Sequence, residues 1–492
     1  MADRHYPMSN IHFNASTDAF DPGDTDILLG NGDISHSRPR WYKPYATKRR
    51  YLYVAAGLLV LLILLSATYM TGAHMADRRT TLGLVQEQRI VDRLSAVNGP
   101  PTLKFRDNLK PNLKYITSWI DAGWTNDVIT YMNILYLATI TRRIPIIGVF
   151  TPTHVGYYSE TIDFGKVFDV PRLSKAIGLP VLEWHEVKDR NSSEVDVLGC
   201  WDVWETVQNE THEARFSRLP GKLKLDVSYT IAPPWVKMLP NFKHDRHANI
   251  FSLASLGFPE IRMESLERPV THESKIHRVR LPPDEQLLCF DYLYYTAAAL
   301  PFEFQYDFSP EWAVVGQHMH WNPDLETLAN QYVRKAMGLG RFERIPLYIS
   351  IHARHADFKT FCNHLPLDQC FASPAVIERR IEEVRQELRD RRGLEVQHVI
   401  MTSDEQNSTW WDDVRKQGWF TLDHSRTVEL HGIWYPVLID AVVQSNGVGF
   451  VGTHGSTMSA MARRRVLSWH DGAAQNVKWG KPHSDDHRRR YV

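Results

Sequence analysis

The chain has 492 residues, enough for two or three domains of about 100–200 residues each and for a sizeable buried core. Lys plus Arg and Asp plus Glu each total 57, so the formal net charge is zero, and no long single-sign run precedes the short Arg-rich C-terminus. That balance excludes a protein built to hold the phosphate backbone of a nucleic acid.

Residues 1–50 are rich in Asp, Ser, Asn and Pro and poor in large aliphatics, which leaves too little apolar surface to offset the entropy of ordering. This predicts a disordered cytosolic tail. From Tyr51 to Ala76 there is no Asp, Glu, Lys or Arg, and residues 51–73 are apolar enough to predict one transmembrane helix. A cleaved signal peptide would begin within the first few residues, not after a long polar segment. Arg38, Arg40, Lys43, Lys48, Arg49 and Arg50 precede the span, against Arg78, Arg79 and Arg89 after it, which puts the N-terminus in the cytosol and the remainder in the lumen. The expectation is a single-pass type II membrane protein of the Golgi or endoplasmic reticulum. Residues 74–111, with a short amphipathic run leading to Pro100 and Pro101, read as a lumenal stem.

In an oxidising lumen Cys200, Cys289, Cys362 and Cys370 can pair in three ways, and Cys362 with Cys370 closes the shortest loop. Acceptor tripeptides for glycosylation begin at Asn191, Asn209 and Asn407.

From residue 112 the pattern turns to strand (115–119), helix (127–143) and strand (144–150), a βαβ signature. Region 151–310, dense in Trp, Tyr and Pro, gives no topology by periodicity. Beyond it come a strand at 346–352, a helix at 374–393 closed by Gly393 and a strand at 396–404. Helices at 408–418 and 435–445, a strand at 447–452 and a helix beginning near Ser456 complete the series. Alternating strands and helices predict an α/β fold with parallel, doubly wound sheets, divided into domains 112–340 and 341–492.

Ligands of such sheets collect at the carboxyl ends of strands, so the residues following each predicted strand are the candidates. Gly123 permits a tight turn into the first long helix, where Asn126 and Asp127 either meet a polar ligand or cap the helix. After the 346–352 strand come His352, Arg354, His355 and Asp357. A guanidinium at a strand end suits a pyrophosphate, because its planar fork binds two oxygens and stays charged, although an ion pair between Arg354 and Asp357 accounts for it equally. Asp404 and Glu405 end the 396–404 strand, in reach of sugar hydroxyls or of the next helix as caps. Gly455, Ser456 and Thr457 form a turn of small and hydroxyl residues opening a helix, a phosphate-site pattern without the Walker lysine.

Taken together and in this order, the four segments resemble the GDP-fucose protein O-fucosyltransferase family, of the membrane-anchored, fungal type, over roughly residues 112–480. The turn "GWTND" is similar to the family's Gly-x-x-Asn element, and "HARHADF" reproduces its His-x-Arg-x-x-Asp-Phe positions at His352, Arg354, Asp357 and Phe358. "TSDE" and "FVGTHGSTMS" match its strand end and donor loop. The resemblance implies a GT-B architecture, two Rossmann-like domains facing across a cleft. It also implies a GDP-fucose donor and a protein or glycan acceptor. Arg354 would contact the diphosphate and Asn126 would lie beside the transfer centre. Gly123, His352, Asp357, Asp404, Gly455, Ser456 and Thr457 would hold the nucleotide sugar. Two departures bear on mechanism: Asp127 stands where Gln is common, and no Glu adjoins Gly123 to act as base.

No Asp-x-Asp triplet follows residue 26, and His318 and His320 have no third ligand, so neither a metal nor another cofactor is expected. Two competing readings remain: a GT-B transferase using another nucleotide sugar, and an inactive, membrane-tethered module that binds glycoproteins.

Overall fold

Two parallel sheets organise the chain. In chain order the strands are β1 (Tyr115–Ser118), β2 (Ile144–Ile147), β3 (Leu182–Glu183), β4 (Asp196–Asp202), β5 (Leu225–Ile231), β6 (Ala248–Asn249), β7 (Leu287–Phe290) and β8 (Thr296–Ala297). They are followed by β9 (Tyr348–Ala353), β10 (His398–Ser403), β11 (Phe420–Thr421), β12 (Gly449–Thr453) and β13 (Ala473–Val477). The first sheet runs β3-β2-β1-β7-β4-β5 and the second β11-β10-β9-β12-β13, every neighbouring pair being parallel. Strands β6 and β8 pair separately. This computed structural model describes residues 93–485 apart from 152–154, 157–158, 209–210, 243 and 363. The expected tail, the expected span and most of the expected stem lie outside the described residues, among which no helix is long and apolar enough to cross a membrane.

The sequence runs that build the sheets are apolar on both faces, as strands covered by helices on both sides must be. Every residue of β1, β2, β9 and β12 is buried. A residue such as Ile349 or Ile351, fully enclosed on one face of the second sheet, contributes about 1.5–3 kcal/mol relative to exposure. Between β1 and β2 runs α1 (Trp124–Thr141), buried at every position from Trp124 to Ala138 except Asn126. The next long helix, α2 (Pro323–Ala336), packs on a helix of the second half, and Asn446 of that helix bonds Glu326 at 3.0 Å. Helix α3 (Pro374–Arg392) ends, as its sequence predicts, at Gly393 in the left-handed region (φ 63°). Helices α4 (Ser408–Lys416), α5 (Tyr435–Asn446), on which α2 packs, and α6 (Thr457–His470) complete the second half.

Region 151–310, which periodicity leaves unassigned, supplies four of the six strands of the first sheet. Its helices are short: the two between β4 and β5 span only Trp204–Val207 and Leu219–Lys222, so the alternation of strand and long helix that marks a parallel sheet in sequence is missing there. Strand β7 inserts between β1 and β4, with Ser118 opposite Phe290 and Trp201 opposite Phe290. A disulfide between Cys200 and Cys289 staples β4 to β7, and Cys362–Cys370 closes a short loop after β9, which selects one of the three pairings.

Candidate functional site

The register of the second sheet brings three of the sequence motifs to one level. His352 on β9 lies opposite Thr402 of β10 and Gly452 of β12, so the residues following these strands share one rim. The turn from β12 into α6 depends on two glycines. A Cβ on Gly452 would meet Ser459 Cβ at 2.7 Å, and Gly455 occupies a left-handed conformation (φ 80°) that other residues rarely adopt. Ser456 is the N-cap of α6, its hydroxyl accepting from the Ser459 amide at 3.4 Å. The first-turn amides of this long helix have no intrahelical acceptors, and its dipole favours negative charge there.

Arg354 is fixed by its backbone and its side chain together. Its amide donates to Thr453 Oγ1 at 2.9 Å, tying β9 to the start of the donor-like loop. Its guanidinium lies 2.8 Å from Asp357 Oδ1 and 2.5 Å from Asp404 Oδ2, the latter a close ion pair rather than an aligned hydrogen bond. The ring of Phe358 lies 5.8 Å beneath it. The ion pair that the sequence offers as an alternative is therefore present, with Asp404 as a second partner. Asp404 Oδ1 also accepts the amides of His355 (2.8 Å) and Ala356 (3.3 Å), so it braces the loop after β9. The cap of α4 is instead Asn407, which accepts from the Thr409 amide at 2.9 Å.

His352 is buried, and its Nδ1 lies 2.8 Å from Ser459 Oγ. Burial pushes its pKa down to about 4; the charges of Arg354 and His355 act in the same direction and Asp404 opposes them, so the ring is neutral at pH 7. A small slot of about 20 Å³, partly open to solvent, borders this rim; His352, His355, Phe371, Thr453 and Trp479 are among its walls.

The first half meets this rim through the start of α1. Gly123 is its N-cap, and its carbonyl accepts the amides of Asn126 and Asp127 at 2.9 and 3.0 Å. Thr125 Oγ1 lies 2.6 Å from Thr457 Oγ1, so the first turns of α1 and α6 touch across 332 residues of sequence. Asp127 does not reach that contact. It turns back to accept the Ala122 amide at 3.0 Å, its other oxygen is buried without a partner, and burial, with Asp121 adding to it, raises its pKa well above the usual carboxylate range.

At the same end of the first sheet stand two buried carboxyls. Asp291 accepts the amides of Val203 (2.7 Å) and Arg215 (2.9 Å), and Asp202 accepts that of Glu205 (2.8 Å). Burial and the neighbouring Asp291 push the pKa of Asp202 far above the usual carboxyl range; burial, opposed by its amide donors, raises that of Asp291 less.

Two groups among the described residues have metal-ligand geometry: Asp163 with Glu183 and His185, and Asp202 with Glu205 and His272. In the first, Arg190 already engages Asp163 at 2.7 Å; in the second, two of the members, His272 and Glu205, bond each other at 2.9 Å. His318 and His320 belong to neither.

The structure thus joins His352, Arg354, Asp357, Asp404, Gly455, Ser456 and Thr457 at one rim, and brings the helix start that carries Gly123 and Asn126 against it. Sequence reasoning passes over Thr125, Thr453 and Ser459. The only signal for Ser459 is its helical spacing from Ser456, and nothing local distinguishes Thr125.

No protein-family model matches the chain, and no curated protein matches it. Solved structures do. That of POFUT1 in complex with GDP-fucose is 13% identical, with a TM-score of 0.46, over 75% of this chain and 99% of that one. NodZ alpha-1,6-fucosyltransferase soaked with GDP-fucose is 13% identical, with a TM-score of 0.34, over 72% of this chain and 92% of the other. Fucosyltransferase NodZ from Bradyrhizobium is 11% identical, with a TM-score of 0.36, over the same shares. Likenesses this distant carry no argument about the chemistry of the present chain, which rests on its own residues.

Proposed function

We propose that the chain is a metal-independent, inverting glycosyltransferase of GT-B architecture that transfers fucose from GDP-fucose to a hydroxyl of a protein or glycan. The observation that carries this reading is the meeting of Arg354, Ser456 and Thr457 on one rim. There the Arg354 amide bonds Thr453 and the Thr457 hydroxyl reaches the opposite half at Thr125. The motif resemblance supplies the identity of the donor.

The chemistry follows from charge. The bond from the sugar C1 to the diphosphate oxygen breaks as the bond from the acceptor oxygen to C1 forms on the opposite face, the hydroxyl proton passing to solvent water, and the departing diphosphate gathers negative charge. A preorganised cation and aimed donors stabilise that state more than the ground state. Arg354 is the cation, and Ser456, Thr457 and the first-turn amides of α6 are the donors. Asp357 and Asp404 hold the guanidinium in place, neutral His352 and its partner Ser459 hold the end of β9 against α6, and Asn126 faces the transfer centre. The catalytic body sits in the lumen of the Golgi or endoplasmic reticulum, tethered through residues 51–73.

The test uses the full-length chain in detergent. GDP raises the melting temperature where UDP and CMP do not, by mass action on the folded state. With acceptor-bearing glycoproteins, GDP release from GDP-fucose falls roughly 10²–10³-fold in Arg354→Ala, the range for losing one charge-stabilising group. Stabilisation by UDP or CMP instead of GDP would reassign the donor. One observation favours a second reading: Arg354 is already clamped between two carboxylates. If that clamp never opens, the chain is a tethered glycoprotein-binding module, which binds acceptor with no nucleotide effect.

A further inference from the structure

The motif His318-x-His320 takes no part in the site above, and its surroundings are unusual in charge. The helix Val170–Ile177, the turn Gly316–His318 with the residues after it, and the middle of α6 pack together there. His320 stacks on Trp469 at 4.4 Å. Burial pushes its pKa down to about 4, and the positive charges of Arg172, His318 and Arg465 act in the same direction. Only Asp169 opposes them, and its carboxylate already accepts the amide of Arg172 at 3.0 Å.

Arg465 forms the floor of this cluster. It is 2% exposed, its guanidinium lies 4.3 Å from the ring of Trp321, 5.6 Å from Trp469 and 5.8 Å from Phe168, and its Nε is buried without an acceptor. Burial alone lowers its pKa to about 9, with no carboxylate near enough to restore it. The indole nitrogens of Trp321 and of Trp124, which stacks on it at 6.2 Å, are buried donors without acceptors as well. Among the described residues the side chains of Arg172, His318, His320 and Arg465 have no hydrogen-bond or ion-pair partner, while their exposure grades from open at Arg172 to closed at Arg465. A buried cation without a counter-ion is strongly unfavourable, and buried donors are almost always satisfied by protein, water or an ion. The rings recover part of that cost as cation–π attraction but offer the N–H groups no acceptor.

We infer that this cluster is an anion site taking a compact oxyanion such as phosphate or sulfate, with Arg465 and the Trp321 indole at its floor, His320 on its wall and Arg172 at its mouth. A guanidinium fork matches two oxygens of such an ion. Arg465 is eight residues along α6 from Thr457, about 12 Å at the helical rise, so this oxyanion is separate from the diphosphate proposed at Arg354. Both sites lie on the same helix, so occupancy of the second stiffens the element that carries the donor loop.

The experiment titrates inorganic phosphate into the full-length chain in detergent, with saturating GDP present and ionic strength held constant with sodium gluconate, and follows the melting temperature. A saturable rise is expected for the natural sequence and for Arg354→Ala. It is abolished in Arg465→Gln and shifted to several-fold higher phosphate in Arg172→Gln. If Arg465→Gln does not fold, the exposed Arg172→Gln decides. No saturable rise, or one unmoved by Arg172→Gln, overturns the site. A rise present in the natural sequence and lost in Arg354→Ala also overturns it, since the phosphate would then be in the donor crevice. Because the phosphate response of Arg354→Ala reports on this site whether or not GDP binds, failure of the donor assignment and failure of this one are distinguishable.

Discussion

The carboxyl rims of the two sheets carry opposite chemistry. On the second, a guanidinium, the hydroxyls of Ser456 and Thr457 and the free amides of α6 stand together. On the first stand two buried carboxyls, Asp202 and Asp291, both held above the usual carboxyl range. Parallel strands deliver loops to one level in both halves, yet only the second delivers groups suited to an anion. Strand topology therefore says where a ligand collects, and the residue after each strand says which kind.

The largest effect should come from the staple beneath the first rim. Cys200 lies two residues before Asp202 and Cys289 two before Asp291, so the disulfide fixes the strands that bring the carboxyls together. Replacing both cysteines with Ser should lower stability by about 2–5 kcal/mol, read from urea unfolding. Arg354→Lys keeps the charge of the second rim but loses the fork. It should lower the rate of GDP release at least about tenfold, by roughly 1.4 kcal/mol or more, which steady-state assay resolves.

The pH dependence of stability separates the rims further. Asp202 at about 9 and Asp291 at about 6 both lie above the ordinary carboxyl range, so the folded chain holds their proton more tightly than the unfolded one. The stability they contribute is complete below about pH 4, the ordinary carboxyl value, and is lost progressively as pH rises from there through the folded values of the two groups. Asp202→Asn should flatten that decline by removing the Asp202 part, at most about 1.4 kcal/mol per pH unit, in urea midpoints taken across the range. His352 has the opposite sign: its lowered pKa makes stability fall as pH drops from about 6.5 towards 4. The smallest effect is expected at the bridge between the halves. Thr125→Val removes the hydroxyl contact to Thr457 and should cost about 0.5–1.5 kcal/mol in unfolding free energy.

The second half of the fold is legible in the sequence because its strands are continuous apolar runs and its helices long. β9, α3 and β12 lie within a few residues of where periodicity puts them, and Gly393 ends α3 as predicted. The 151–310 region is illegible for a physical reason: β4 and β5 are joined through two separate four-residue helices, and β7 enters the sheet between strands distant from it in sequence. In the site, the strand-end rule finds Arg354, Asp404 and Ser456 because their position follows from the strand itself. Thr125 stays hidden because its role arises only when the two halves meet, and the charge anomaly at Arg465 because nothing in the run "ARRR" separates a buried arginine from an exposed one.

The most direct test of the central claim is a double-mutant cycle on GDP affinity, measured by calorimetry with Arg354→Ala, Thr457→Val and the double variant. If the guanidinium and the hydroxyl hold one diphosphate, the two losses should be non-additive by about 0.5–3 kcal/mol. Losses that add to within about 0.3–0.5 kcal/mol would contradict the claim and place the two groups on separate ligands.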